Sequence, residues 1–183
     1  MINKIAVIGL GYVGLPLAYE FSKKYITYGY DVSQNRIEQL EKFNDNNLEI
    51  STQKLKSVID EGGKPTLKGL KLSDSLVDLK ECNVYIITVP TPIDKDKRPD
   101  LSPLKSVSKS IGSILNKGNL VIYESTVFPG ATEEICIPII ESVSKMKLNK
   151  DFFIGYSPER INPGDKMNTL TKIKKVTSGS NIK

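Results

Sequence analysis

The 183-residue chain has no histidine, and cysteine occurs only twice. Without histidine there is no Ser-His-Asp triad, no Cys-His nucleophile and no His-ligated zinc within it. Cys82 and Cys136 are far apart, with no CxxC spacing. A secreted disulfide scaffold would carry more cysteines at higher density, so both are expected to be reduced and buried. Long apolar runs are also lacking. Ile5 to Ala18 superficially resembles a signal peptide behind Lys4, but Gly9, Gly11 and Gly14 interrupt it and no A-x-A site follows. It is too short to span a bilayer, so a soluble, cytoplasmic protein with no membrane partner is expected. Nor does either charge dominate. Lys+Arg 26 against Asp+Glu 21 leaves +5, and the lysines are scattered rather than clustered. That favours a solvated surface with a local anion site over a nucleic-acid-binding face.

With 39% hydrophobic residues, the chain can build one domain with a real core. Short apolar runs alternate with helical stretches, the pattern of βαβ units. Strands are expected at Lys4–Ile8, Ile26–Tyr30, Leu70–Leu72, Val84–Val89, Leu120–Glu124, Phe152–Tyr156 and Lys174–Thr177. Helices are expected over Tyr12–Lys24, Gln34–Phe43, Leu55–Ile59, Ser75–Leu79, Ser102–Leu115 and Thr132–Ser144. Ser102 and Pro103 have the types that start a helix, and Asp45-Asn46-Asn47 reads as a turn. The expected architecture is α/β: a Rossmann-type, doubly wound, mostly parallel sheet with helices on both faces, formed by residues 1–183 as a single dinucleotide-binding domain.

Gly9-Leu10-Gly11-Tyr12-Val13-Gly14 is a G-x-G-x-x-G string between an expected strand and an expected helix. Gly9 permits the tight turn, Gly11 lets backbone amides approach a pyrophosphate, and Gly14 lets the helix pack close. Free amides and the dipole at the helix start favour the anion. Asp31 ends the second strand, where a carboxylate accepts the ribose hydroxyls and repels a 2′-phosphate, which favours NAD over NADP. Arg36 complicates that preference, but it lies within the helix that follows, so NAD remains favoured; it joins the cofactor-binding candidates with Tyr12 and Val13. The competing reading is a ligand-free glycine-rich turn, with Asp31 capping a helix.

Segments at three more strand ends mix prolines with hydroxyls or charges: Thr88–Pro92, Glu124–Gly130 and Ser157–Gly164. In a doubly wound sheet these ends share one edge, where ligands bind; singly, each would pass for an ordinary turn. Glu159 beside Arg160 can hold a water as general base while the guanidinium reads a substrate oxygen, and Thr126 can bond the same water. The alternative is a surface salt bridge worth about 0–1 kcal/mol.

Gly9–Pro16 (GLGYVGLP), Glu124–Glu134 (ESTVFPGATEE) and Tyr156–Asp165 (YSPERINPGD) together resemble the NAD-dependent UDP-sugar 6-dehydrogenases. The resemblance covers nearly the whole chain. Thr88–Asp94 (TVPTPID) and Leu170–Ser180 (LTKIKKVTSGS) look closest to the Vi-antigen and O-antigen branch, which oxidises UDP-N-acetylhexosamines for surface polysaccharides. It implies two-step oxidation of C6 to the uronic acid with two NAD, through a cysteine thiohemiacetal and thioester. By the same resemblance, Thr91 and Thr126 line the nicotinamide side, and Pro90 and Ser125 beside them join the cofactor-binding candidates. Glu159 handles the hydrolytic water, so Glu159 and Thr126 are the catalytic candidates, and Glu159 and Arg160 the substrate-binding ones. No metal is implied.

The family's nucleophilic cysteine lies in a later G-G-x-C-x-P segment, preceded by a catalytic lysine and asparagine. None of these occurs here, nor do the long central helix and the UDP-binding half. The chain is therefore expected to be the N-terminal NAD-binding domain of a longer enzyme, itself inactive and monomeric, from a full-length homodimer or higher oligomer. Two readings compete: a stand-alone NAD-sensing module, and a Rossmann dehydrogenase of the 6-phosphogluconate or 3-hydroxyacyl-CoA type.

Overall fold

The computed structural model describes residues 4–59, 68–159 and 170–181. Its frame is a seven-stranded sheet in the order β3-β2-β1-β4-β5-β6-β7. The strands are β1 (Lys4–Ile8), β2 (Ile26–Tyr30), β3 (Gly69–Ser73), β4 (Val84–Ile87), β5 (Leu120–Tyr123), β6 (Phe153–Tyr156) and β7 (Ser178–Gly179). Every pairing is parallel except β6–β7. Strands covered on both faces need apolar side chains throughout, and β4 is buried along its whole length.

Helices α1 (Gly14–Ser22), α2 (Gln34–Glu41) and α3 (Thr52–Lys56) belong to the first half, α4 (Ser102–Ile114) and α5 (Ile137–Ser144) to the second. One core unites Ile5, Val7, Leu15, Leu40 and Leu55, and the other Ile8, Tyr85, Leu104, Ile111 and Ile140. Alternate side chains of β1 thus enter opposite cores, as strand geometry demands. The doubly wound sheet expected from the sequence is the one observed.

The structure differs locally from expectation. The helix expected from Tyr12 begins at Gly14, because Gly11–Val13 complete the turn, and α3 begins at Thr52 rather than Leu55. Leu101, not Ser102, takes the N-cap position of α4, while Asp100 accepts the Ser102 amide at 2.8 Å. The single helix expected over Thr132–Ser144 divides into a π turn (Thr132–Cys136) and α5. Pro138 explains the break: it has no N–H to donate, and its ring crowds the carbonyl four residues back. The last strand lies at Ser178–Gly179, not Lys174–Thr177. Its pairing to Gly155 and Tyr156 starts only after Lys175 has turned inward to Glu124.

Candidate functional site

The glycine-rich turn leaves β1 at Ile8 and enters α1 at Gly14. Gly9 has φ +96° and donates its N–H to the Tyr30 carbonyl at 2.8 Å. That conformation suits glycine. Gly14 is required for a different reason: a Cβ there would lie 1.8 Å from the Gly9 oxygen and 2.4 Å from Thr88 Oγ1. At Gly11 a Cβ would meet nothing within 4 Å, so this residue faces open space. Val13 provides no side-chain cap to α1; Pro16 has no N–H and the Leu15 N–H bonds the Gly11 carbonyl at 3.1 Å, so α1 offers an anion the positive end of its dipole more than a set of free amides.

Asp31 follows β2 on the other side of the turn. Its Oδ2 accepts the Leu10 N–H at 2.9 Å and its Oδ1 the Ser33 N–H at 2.9 Å. Each carboxylate oxygen has a second lone pair for a ribose hydroxyl. Arg36 Nε donates to the Leu10 carbonyl at 3.0 Å, and its Nη2 reaches Asp45 Oδ1 at 2.7 Å.

Beyond the carboxyl ends of β4, β5 and β6, one cleft is lined by Tyr12, Val13, residues 88–91, residues 124–126 and Glu159. Thr88 Oγ1 donates to the Gly9 carbonyl at 2.7 Å, tying the β4 end to the glycine turn. Thr91 Oγ1 donates to the Thr126 carbonyl at 2.7 Å, and Ser125 Oγ to the Val89 carbonyl at 2.6 Å. These bonds lock the loops together, and Thr126 remains exposed. All the sequence-predicted site residues among those described therefore fall on the glycine turn, its Asp31 flank or this cleft. Arg160 lies outside the described residues, as does the motif from there to Asp165.

Two charged groups beside the cleft were not among the predicted site residues. Glu124 is buried at the end of β5 and paired with Lys175, whose Nζ is also 3.9 Å from Glu159 Oε2. Burial, chiefly, pushes the Glu124 carboxyl above its ordinary range, while the Lys175 hydrogen bond and charge pull it back. Glu124 belongs to a segment singled out from the sequence, but nothing local to Lys175 foretells a partner 51 residues away.

Cys82 and Cys136 are free and buried as expected. Burial pushes the Cys82 thiol up to about 12 and raises that of Cys136 too, the opposite of an activated thiolate. Neither should react with an aromatic disulfide reagent in the folded chain, and both should react in denaturant. Fast native labelling of either would contradict their burial. No group of residues suited to hold a metal ion occurs among the described residues, and no helix among them is long and apolar enough to cross a membrane. A larger apolar groove of about 310 Å³ runs along β5, β6 and β7 past Ile122, Phe153 and Gly155. It contains none of the predicted site residues.

A parallel sheet ordered 3-2-1-4-5-6, with a glycine-rich turn after its first strand and an acid after its second, defines a Rossmann-type dinucleotide-binding domain. Residues 3–183 match the model of the UDP-glucose/GDP-mannose dehydrogenase family, NAD binding domain, and the chain belongs to that family. It is 55% identical to UDP-N-acetyl-D-glucosamine 6-dehydrogenase of Pseudomonas aeruginosa, over 97% of this chain and 40% of that protein. It is 45% identical to Protein CapL of Staphylococcus aureus, over 100% of this chain and 41% of the relative. Among solved structures it resembles the UDP-D-ManNAc dehydrogenase of Pyrococcus horikoshii (TM-score 0.80, 33% identity), covering 96% of this chain and 41% of that one. The chain spans about 40% of the length of these curated relatives. Its cofactor is NAD, and the open backbone at Gly11, the uncapped start of α1 and the spare lone pairs of Asp31 fit that group.

Proposed function

We propose that this chain is the cofactor half of an enzyme that oxidises C6 of a UDP-N-acetylhexosamine to the uronic acid, for surface polysaccharide precursors. The observation that carries the proposal is the convergence of the Gly9–Gly14 turn with the ends of β4, β5 and β6 on one cleft. Two relatives above 50% identity named UDP-N-acetyl-D-glucosamine 6-dehydrogenase support this choice of sugar class.

Bound NAD would supply the hydride acceptor for oxidation at the sugar carbon. The Gly11 amide and the start of α1 hold the pyrophosphate, and Asp31 takes the ribose hydroxyls. Tyr12, Val13, Pro90, Thr91, Ser125 and Thr126 border the nicotinamide end. The Thr91–Thr126 and Ser125–Val89 bonds give that border a fixed shape. Glu159 and the Thr126 hydroxyl orient the hydrolytic water, and Arg160 has a substrate-binding role. The nucleophilic cysteine belongs to the remainder of the enzyme, because Cys82 and Cys136 are buried and protonated. The whole enzyme is soluble, cytoplasmic and a homodimer or larger, with a nucleotide sugar as its partner and neither nucleic acid nor membrane.

Two measurements test this. This chain should bind NAD yet form no NADH with UDP-N-acetylglucosamine, whereas the full-length protein should form two NADH per sugar. A burst of NADH from this chain alone, or a ketone instead of an acid from the full-length enzyme, would overturn it. Asp31→Ala should weaken NAD binding by about tenfold and narrow the preference over NADP, since a hydrogen bond to a charged group is worth about 1.5–3 kcal/mol. An unchanged preference would remove Asp31 from the ribose site.

A further inference from the structure

Asp45 lies between α2 and α3, away from the cleft, and its side chain is 0% exposed. Burying a carboxylate costs several kcal/mol unless charge and hydrogen bonds compensate it. Here the compensation is complete. Oδ1 accepts Arg36 Nη2 at 2.7 Å and the Asn47 N–H at 3.2 Å, while Oδ2 accepts the Glu49 N–H at 2.8 Å and the Ile50 N–H at 3.0 Å. A turn needs an acceptor for its amides, but does not need an arginine.

The arginine leads back to the glycine turn. With its guanidinium anchored on Asp45, Arg36 presents Nε to the Leu10 carbonyl at 3.0 Å. A peptide unit is planar and trans, so its C=O and N–H point in opposite directions. Holding the Leu10 carbonyl therefore aims the Gly11 N–H to the opposite side. The preceding peptide is gripped at both ends as well: Thr88 Oγ1 donates to the Gly9 carbonyl at 2.7 Å, and Asp31 Oδ2 accepts the Leu10 N–H at 2.9 Å. Both peptide planes between Gly9 and Gly11 are thus set by side chains. The second depends on Arg36, and Arg36 on Asp45.

We infer that Asp45 is a positioning residue for the cofactor: through Arg36 it fixes the Leu10–Gly11 peptide and so the direction in which the Gly11 N–H meets the pyrophosphate. The inference rests on the reading of Gly9–Gly14 as the pyrophosphate site. Preorganised donors avoid an ordering cost on binding, so freeing this peptide should appear as lost affinity with no contact removed.

The test is calorimetric titration with NAD of the wild-type chain, Asp45→Asn, Arg36→Gln and the double variant, each first verified as folded by circular dichroism. Asp45→Asn is expected to bind NAD about tenfold more weakly, as is Arg36→Gln. The double variant should bind no more weakly than Arg36→Gln alone, because Asp45 has no route to the cofactor once the guanidinium is gone. A purely structural Asp45 would lower stability in both backgrounds without this loss of additivity. Asp45→Ser, which retains an acceptor for the loop amides but no charge for Arg36, carries the same cycle where Asp45→Asn does not fold. Wild-type affinity in the folded Asp45 variant, or the full Asp45→Asn penalty in the Arg36→Gln background, would overturn the inference alone. A wild-type chain that fails to bind NAD would overturn the cofactor reading and this inference with it.

Discussion

Gly11→Ala is expected to fold as well as the wild type and to lose NAD affinity by about a hundredfold, while Gly14→Ala is expected to lose both binding and stability. The two glycines are three residues apart in one motif, but the space around them differs. At Gly11 an added methyl meets no protein atom within 4 Å, so the fold is unaffected, and stability should stay within about 0.5 kcal/mol of wild type. In the proposed binding mode that open space is where the pyrophosphate approaches the backbone. Displacing it forfeits hydrogen bonds to a charged group, each worth about 1.5–3 kcal/mol. At Gly14 the methyl would sit 1.8 Å from the Gly9 oxygen, itself bonded to Thr88. Relief requires α1 to move off the sheet, and overpacking of this kind costs about 3 kcal/mol or more. Thermal melts and NAD titrations of both variants check this. A destabilised Gly11→Ala, or a Gly14→Ala as stable as wild type, would contradict the geometry.

Lys175→Met should destabilise the chain by about 3 kcal/mol at pH 8, and by progressively less as the pH falls toward 4.5. The sign follows from Glu124. Burial is the largest influence on its carboxyl and, with the Glu159 charge, raises it; the Lys175 hydrogen bond and charge oppose both. Removing the lysine leaves the raising influences unopposed. A carboxyl whose folded pKa exceeds its unfolded 4.5 is bound more tightly by protons in the native state. Its favourable contribution is complete below the unfolded value and is lost as pH climbs through the folded one. Urea denaturation of wild type and variant at pH 4.5, 6 and 8 measures the difference directly. Adding Glu124→Gln to the variant should remove most of the pH dependence. A deficit equal at all three pH values would show that Lys175 contributes packing and not charge.

Legibility in the sequence varied with the distance over which a feature is specified. β1 and β4 announce themselves because a parallel strand covered on both faces must be apolar at every position. The glycine turn and Asp31 were legible because turn, helix start and acid follow one another along the chain. The strand-end segments also declared themselves, through prolines and hydroxyls that their cross-loop bonds now explain. Lys175 was not legible, since a lysine among lysines reads as solvated surface and its partner is 51 residues distant. Asp45 looked like the turn residue it is, yet its bond to Arg36 depends on how the loop after α2 folds back. The misplaced last strand has the same origin: β-branched Val176 and Thr177 suggest a strand, but the Lys175–Glu124 pair claims that stretch before Ser178 can join β6.

In the proposed binding mode NAD lies across the Gly9–Gly14 turn with its nicotinamide end in the cleft at the ends of β4 and β5. An amide-resolved NMR titration of the isotopically labelled chain with NAD tests it most directly. Saturable shifts should concentrate on Gly9 to Gly14, Asp31, Thr91, Ser125 and Thr126, with Gly11 among the largest, while the groove around Ile122 and Phe153 stays unmoved. Shifts confined to that groove, or none at saturating NAD, would contradict the account.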